Sequence, residues 1–209
     1  MSFADYTSLS ATLTTNWLNR GDLTSQADDF IALFEADFNS KMRVRQMEAE
    51  TSVVSTSGWL PLPTGWLSWK SIRGTTTGTA VPYSLEAVTE EAALARTPGE
   101  TGDSRLYNVS GSRTYLYPAN SGISFATTFY AGVTLSATKS GTNWLLTSYP
   151  AAYLYGSLLQ ATAFLMNDPR VPLWKAAYDD VMQRIKADSN TQGWPQGQAI
   201  RMSPDFRIV

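Results

Sequence analysis

The spacing of apolar residues changes character twice along this chain. Through residues 1–49 the period is helical. Leu9, Leu13 and Trp17 recur at steps of four, which places them on one helix face. Gly21 then offers a stop. Thr24 or Ser25 is positioned to cap a second helix, with Asp28 and Asp29 in a first turn that favours carboxylates. Its predicted stripe is Phe30, Leu33, Phe34 and Phe38. Lys41, Arg43 and Arg45 follow at the end where cations suit the helix dipole, which is reason enough for their presence.

From 50 to 141 the pattern becomes that of strands. Thr, Ser, Val and Gly rise and turn signals recur. "GWLSWKSIRG" read as a strand puts Trp66 and Ser68 on one face, Leu67 and Trp69 on the other. "RLYNVSGSRTYLYP" reads as a hairpin with strands at 106–109 and 114–117 around Ser110-Gly111. "GISFATTFYAG" reads as a strand with Ile123, Phe125, Thr127 and Phe129 on one side. "TEEAALAR" interrupts them as a short helix capped by Thr89.

Helical spacing returns at 142–190. Ser148 is placed to cap a helix with Pro150 in its first turn. Residues 149–166 carry almost no charge, and a helix apolar on every side is buried on every side. Such a helix is ~28 Å long. Gly156 and its neighbouring alanines admit a close partner, either within the chain or from another copy. Asp168-Pro169 closes this helix and opens the next, with Asp168 as cap and Pro169 in the first position. There Val171, Trp174, Tyr178, Val181 and Ile185 face inward, while Lys175, Asp179, Gln183 and Lys186 face water.

The expected architecture is α+β. Residues 1–49 and 142–190 form a bundle of about four helices. Residues 50–141 form an inserted antiparallel sandwich or barrel. Residues 191–209 form an extended tail, because their glycines and prolines forbid a long helix. Trp194, Pro195, Ile200, Met202, Phe206 and Ile208 give that tail spaced anchors for docking on another chain, the alternative being that it packs back on its own.

Composition narrows the chemistry. The 209 residues include no cysteine and no histidine, which removes thiol chemistry, disulfides, the usual general base and the usual metal ligand together. No cofactor, metal or catalytic site is expected. A net charge of −2 argues against a dedicated nucleic-acid binder, though not against DNA passing nearby. The paired acids Asp28/Asp29, Glu48/Glu50 and Glu90/Glu91 are neighbours that point apart, not opposed walls of a glycosidase cleft. The sequon at Asn108 reads as coincidence. The opening "MSFADYTSLS" has neither the basic nor the apolar part of a secretion signal, so cytosolic synthesis and no membrane partner are expected. Seven tryptophans are many, and Trp59, Trp66 and Trp69 fall within eleven residues. Faces so rich in indole occur at interfaces, so these three are candidates for a subunit contact.

The order of motifs resembles that of tailed-bacteriophage head–tail adaptor (connector) proteins. The residues that carry it are Trp17-Leu18-Asn19-Arg20-Gly21-Asp22-Leu23, then Asp29-Phe30-Ile31-Ala32-Leu33-Phe34-Glu35, then Arg43-Val44-Arg45-Gln46-Met47-Glu48. "WLPLPTGWLSWKSIR" is similar to the strand pair that follows, and "NWLLTSYPAAYLYGSLLQATAFLMNDPRVPLW" to the closing helix pair. The resemblance covers about 9–73 and 142–186. Gly21 stands where an acidic residue is usual. What the resemblance implies is a structural virion protein with no catalytic residues. It would form a dodecameric ring in the neck, assembled in the host cytoplasm. That ring would join the portal to the tail or nozzle around double-stranded DNA that passes without specific binding. By position, the tail would reach the portal. Two other readings rest on the residues alone: a carbohydrate-binding module built on the aromatic β region, and an acid-pair glycosidase.

Overall fold

The structure is a computed structural model describing residues 3–78, 80–165 and 168–191. It is α+β, as expected, with seven α-helices and two four-stranded sheets among those residues.

Helix α1 (Tyr6–Thr12) opens with a reciprocal cap, Asp5 accepting from the Ser8 N–H while the Ser8 hydroxyl accepts from the Asp5 N–H. It widens into a π-helical turn, Leu13–Leu18. Leu9 and Leu13 are buried as predicted. The wider turn brings Thr14 and Leu18 inward too, and leaves Trp17 half-buried, edge-on to Tyr155 at 5.8 Å. The stop is Asn19, in the left-handed conformation at φ 51°, and not Gly21. Gly21 instead begins a 3₁₀ turn to Leu23.

Helix α2 (Ala27–Lys41) follows. Neither Thr24 nor Ser25 caps it: the chain enters already helical through Gln26, and the Thr24 hydroxyl donates to the Gly21 carbonyl. Its inward face is Ala27, Phe30, Ile31, Phe34, Glu35 and Phe38. Leu33, assigned to that face by its spacing, is 54% exposed, and Ile31 takes the place expected of it. The closing helices are α5 (Trp144–Ser148), α6 (Pro150–Gln160) and α7 (Val171–Thr191). Ser148 ends α5 and does not cap α6. Asn143 caps α5, and Tyr149 stands at the head of α6 with Pro150 in its first turn. At eleven residues α6 is roughly 16 Å long, shorter than predicted, because the backbone tightens to 3₁₀ at Ala161–Phe164. No residue of α6 is exposed, as its all-round apolar character requires. Helix α7 starts at Val171, two residues later than Pro169 suggested. Asp168 accepts from the Arg170 N–H just ahead of it. Trp174, Tyr178, Val181 and Ile185 are buried, and Lys175, Asp179, Gln183 and Lys186 exposed, as their spacing predicts.

One continuous core joins α1, α2, α5, α6 and α7, so that the two ends of the chain pack together. Its centre is the crossing of α2 and α6. A Cβ placed on Gly156 would lie 2.1 Å from Phe34 Cδ2, so only glycine allows this approach. The partner that Gly156 admits is therefore a helix of its own chain.

Eight strands lie between these helices: β1 (Glu48–Val54), β2 (Trp59–Pro61), β3 (Trp66–Thr75), β4 (Pro82–Ser84), β5 (Glu86–Ala87), β6 (Leu106–Ser110), β7 (Arg113–Tyr117) and β8 (Ser124–Ala131). One sheet runs β1-β8-β3-β4, the other β2-β7-β6-β5. All pairings are antiparallel except β5 with β6, which is parallel, a departure from the expected antiparallel insert. The predicted hairpin is β6–β7, its turn shifted by one to Gly111-Ser112. Helix α3 (Glu90–Arg96) lies between β5 and β6, with Thr89 as its cap. Val53, Ile72 and Phe125 of the first sheet meet Leu60 and Leu116 of the second in a small shared core, so the sheets face each other. The simple alternation expected of β3 fails, because two bulges interrupt its ladder with β8. As a result Leu67 packs against the helical core while Trp69 packs into the β core.

Candidate assembly surfaces

Among the described residues no group of acids is placed to hold a metal ion, and no helix is long and apolar enough to cross a membrane. Two sets of buried and partly buried polar groups serve to join elements. Glu35, 3% exposed, lies on the inner face of α2. Its carboxyl group accepts from the Ser136 N–H at 3.1 Å, the Ser136 hydroxyl and the Tyr153 hydroxyl at 2.7 Å. The Asn143 amide in turn donates to Tyr153 at 2.7 Å. Ser136 sits in the short helix α4 (Leu135–Thr138), so this network fastens the connection out of β8 onto α2 and α6. Burial, with Glu35 beside it, pushes the Tyr153 phenol far above its usual range.

A second clasp holds the N-terminal helix. Asp28 accepts from the Tyr6 hydroxyl and pairs with Lys139 at 2.7 Å. Lys139 and then Tyr6 hold the Asp28 carboxyl below the usual carboxylate range, and burial and Asp28 raise the Tyr6 phenol. The Asp28 carboxylate is therefore committed to Tyr6 and Lys139. Glu48 is likewise committed, to Lys70 at 2.7 Å. Glu90 and Glu91 occupy the first turn of α3, where the helix dipole favours them.

The three tryptophans are divided by the structure. Trp66 and Trp69 lie together, ring centroids 5.8 Å apart. Trp69 turns into the β core: its indole N–H donates to Thr114 across the two sheets at 2.7 Å, and its ring meets Phe129. Trp66 is half-buried, and its indole nitrogen has no hydrogen-bond partner among the described residues. Trp59 stands apart on β2, half-buried, with the Arg113 guanidinium 4.5 Å above its ring. A sugar stacking on Trp59 would have to displace that cation. The anchors Trp194, Pro195, Ile200, Met202, Phe206 and Ile208 lie outside the described residues.

The geometry so far describes a helical body fastened by the Glu35 and Asp28 networks and a β region carrying half-buried indoles. The sequence pattern of the SU10 adaptor protein family matches residues 4–201. The chain belongs to the SU10 adaptor protein family. No curated protein matches it. SU10 adaptors are phage head–tail adaptors, so the chain is a structural component of a phage particle, in agreement with the motif resemblance. The family motif around Arg20 is held by a two-toothed ion pair: the Arg20 guanidinium donates twice to Asp22, each at 2.7 Å, across Gly21. An acidic residue at position 21 is therefore not needed to anchor Arg20. Sequence reasoning missed Glu35 and its partners, although a lone acid among phenylalanines on an apolar face was the available signal.

Proposed function

We propose that the chain is one subunit of a head–tail adaptor ring, dodecameric, that joins the portal to the tail or nozzle and leaves a channel for double-stranded DNA. The observation that carries this is the family match, which runs through nearly the whole chain. The role is structural and not catalytic, consistent with the buried Glu35 and the partly buried Asp28 both being engaged in holding elements together. In this reading residues 1–49 and 142–190 form the helical body and 50–141 a separate working part. Trp59 and Trp66, backed by Trp69, contribute to the contact between subunits. Both rings are half-buried, so each keeps an open part that a neighbouring copy can cover. The tail from 191 onward docks on the portal through Trp194, Pro195, Ile200, Met202, Phe206 and Ile208.

The test is removal of residues 193–209. The truncated chain is expected to melt with the full-length protein and to be absent from particles assembled in its presence. Normal incorporation would overturn the tail's role. Capture of the full-length chain from producing cells tests the wider reading. Recovery with portal and tail proteins supports it. Recovery alone, or with cell-wall polymer, overturns it in favour of the carbohydrate-binding alternative.

A further inference from the structure

The β insert carries an outer face on each of its sheets. The sheets meet through Val53, Ile72 and Phe125 on one side and Leu60 and Leu116 on the other, so the alternate side chains of each strand point away from that core. On the first sheet these are Glu50, Ser52 and Val54 of β1 with Ser124 and Ala126 of β8, all exposed. On the second they are Trp59 and Pro61 of β2, Arg113 and Tyr115 of β7, and Asn108 of β6. Trp59, Tyr115 and Asn108 lie directly across from one another and form one row over β2, β7 and β6. Tyr115 is 37% exposed, and the Arg113 guanidinium lies 4.5 Å above the Trp59 ring. Helix α3 packs on β6 at the end of this face where Glu90 approaches Tyr117.

The two faces differ in relief and in charge. On the first, Ser52, Val54, Ser124 and Ala126 are all small, so the surface between them is low. The second presents an indole, a phenol and a guanidinium, the side chains that most often anchor protein contacts. Large rings bury their surface readily on a face of small side chains, where they displace nothing. Among the described residues neither Glu50 nor Arg113 has an ion pair. Arg73 shares the first face but stands on β3, separated from β1 by β8. At the end nearer the helical body Glu48 and Lys70 pair with each other. The core between the sheets holds the two faces on opposite sides of the insert.

We propose that neighbouring subunits of the ring join through their β inserts, the aromatic face of one copy seated on the low face of the next, with Arg113 meeting Glu50. The inference rests on the ring reading above, and deepens it by naming both halves of the contact to which Trp59 contributes. A contact between unlike faces of the same chain is head-to-tail, and its repetition closes into a ring. Contact between like faces would stop at two copies, and would bring two Arg113 or two Glu50 side chains to the same interface. Arg113 can offer its N–H edge to a carboxylate while its flat side stays on Trp59, so pairing and stacking do not compete.

The chain has no cysteine, so introduced thiols are unique. Ser52→Cys on the low face and Ser110→Cys on the aromatic face, both at exposed positions, are made singly and together in the full-length chain. Particles assembled with each are treated with a short bifunctional maleimide and run on a denaturing gel. The double variant is expected to give a ladder of dimers, trimers and larger species, and each single variant only monomer. No ladder from a double variant that has entered particles, or dimers from a single variant, would overturn the inference. A second arm exchanges charges. Glu50→Arg and Arg113→Glu are each expected to lower the amount of chain in particles at least about tenfold with melting unchanged, and together to restore it. Unchanged incorporation of the single variants, or no recovery in the pair, counts equally against the contact. The adaptor reading fails separately. If the chain is found with portal and tail proteins but no ladder forms, the adaptor reading stands and this one falls. If the purified chain gives the ladder but the unaltered chain is absent from particles, the adaptor reading falls and the contact between faces remains.

Discussion

Gly156→Ala tests the contact on which the helical body is centred. The added Cβ would lie 2.1 Å from Phe34 Cδ2, 2.5 Å from Cε2 and 2.9 Å from Cγ, whereas ordinary contact begins near 3.4 Å. The ring or the helix must therefore retreat by more than an ångström. Phe34 is fully buried and held by Tyr153, Phe38 and Tyr178, with ring centroids at 5.0, 5.9 and 6.2 Å. Any retreat of the ring therefore presses on these neighbours. Two effects oppose each other. Replacing glycine inside a helix stabilises it by roughly 0.5–1 kcal/mol. Overpacking a filled core costs about 1–3 kcal/mol. Expelling the ring altogether sets a ceiling of about 3–5 kcal/mol, the loss expected for Phe→Ala. The expected net loss is about 1–2 kcal/mol, or a fall in Tm of roughly 2–8 °C for a chain of this size. The assay is thermal and urea unfolding followed by circular dichroism, run as a cycle with Phe34→Leu. The smaller side chain makes room, so the double variant is expected to be more stable than the sum of the two losses by at least about 0.5 kcal/mol. If Gly156→Ala melts at or above the unaltered chain, the helix-propensity gain has won and α2 and α6 do not approach this closely.

Two further predictions concern buried polar groups. Glu35→Gln keeps the size of a side chain that accepts from three donors, but turns an amide toward some of them. The expected loss is about 1–3 kcal/mol, read as a lower urea midpoint at constant m-value, while the same change at exposed Glu90 stays within about 0.5 kcal/mol. Equal midpoints for the two variants would dissolve the network as an explanation. At high pH the tyrosines become informative. Tyr149 donates to Asp188 at 2.6 Å; burial first, and then Asp188, push its phenol up to about 12 from an ordinary 10.0. A phenol raised by folding stabilises fully below pH 10, and that stabilisation is lost as pH climbs toward 12. Tyr6, Tyr153 and Tyr178 are raised as well, chiefly by burial. The share of phenolate absorbance that belongs to these four tyrosines is therefore expected to appear late and together with unfolding, and Tyr149→Phe is expected to lessen the alkaline loss. Absorbance that reaches its full ten-tyrosine amplitude near pH 10 while the chain is still folded would refute the burial argument.

Local patterning made the elements legible. The burial of Leu9 and Leu13, the faces of α7 and the cap at Thr89 follow from interactions within a few residues, and those survive into the fold. Boundaries were less legible where competing local bonds decide them. Asn19 took the left-handed stop, and Gln26 entered α2 already helical, so neither Gly21 nor Thr24 and Ser25 acted as expected. In β3 the period of two was misleading. Bulges slip the register and send Leu67 and Trp69 into different cores, a result set by the partner strand β8.

What the sequence determined by itself was the inventory and the class. Without histidine or cysteine the common catalytic and metal chemistries are missing, and the ordered motifs were enough to indicate a phage adaptor. The apolar character of α6 already required burial on every side. Which surface would bury it was decided only in three dimensions, by Gly156 meeting Phe34 across more than a hundred residues of intervening chain. The same holds for charge. Lys41, Arg43 and Arg45 read along the chain are a helix end with suitable cations. Only folding brings Lys70 from β3 and Lys186 from α7 beside them. The physical reason is common to both. Periodicity reports interactions between near neighbours, whereas packing at ångström distances and the summation of charge depend on which distant segments share a surface.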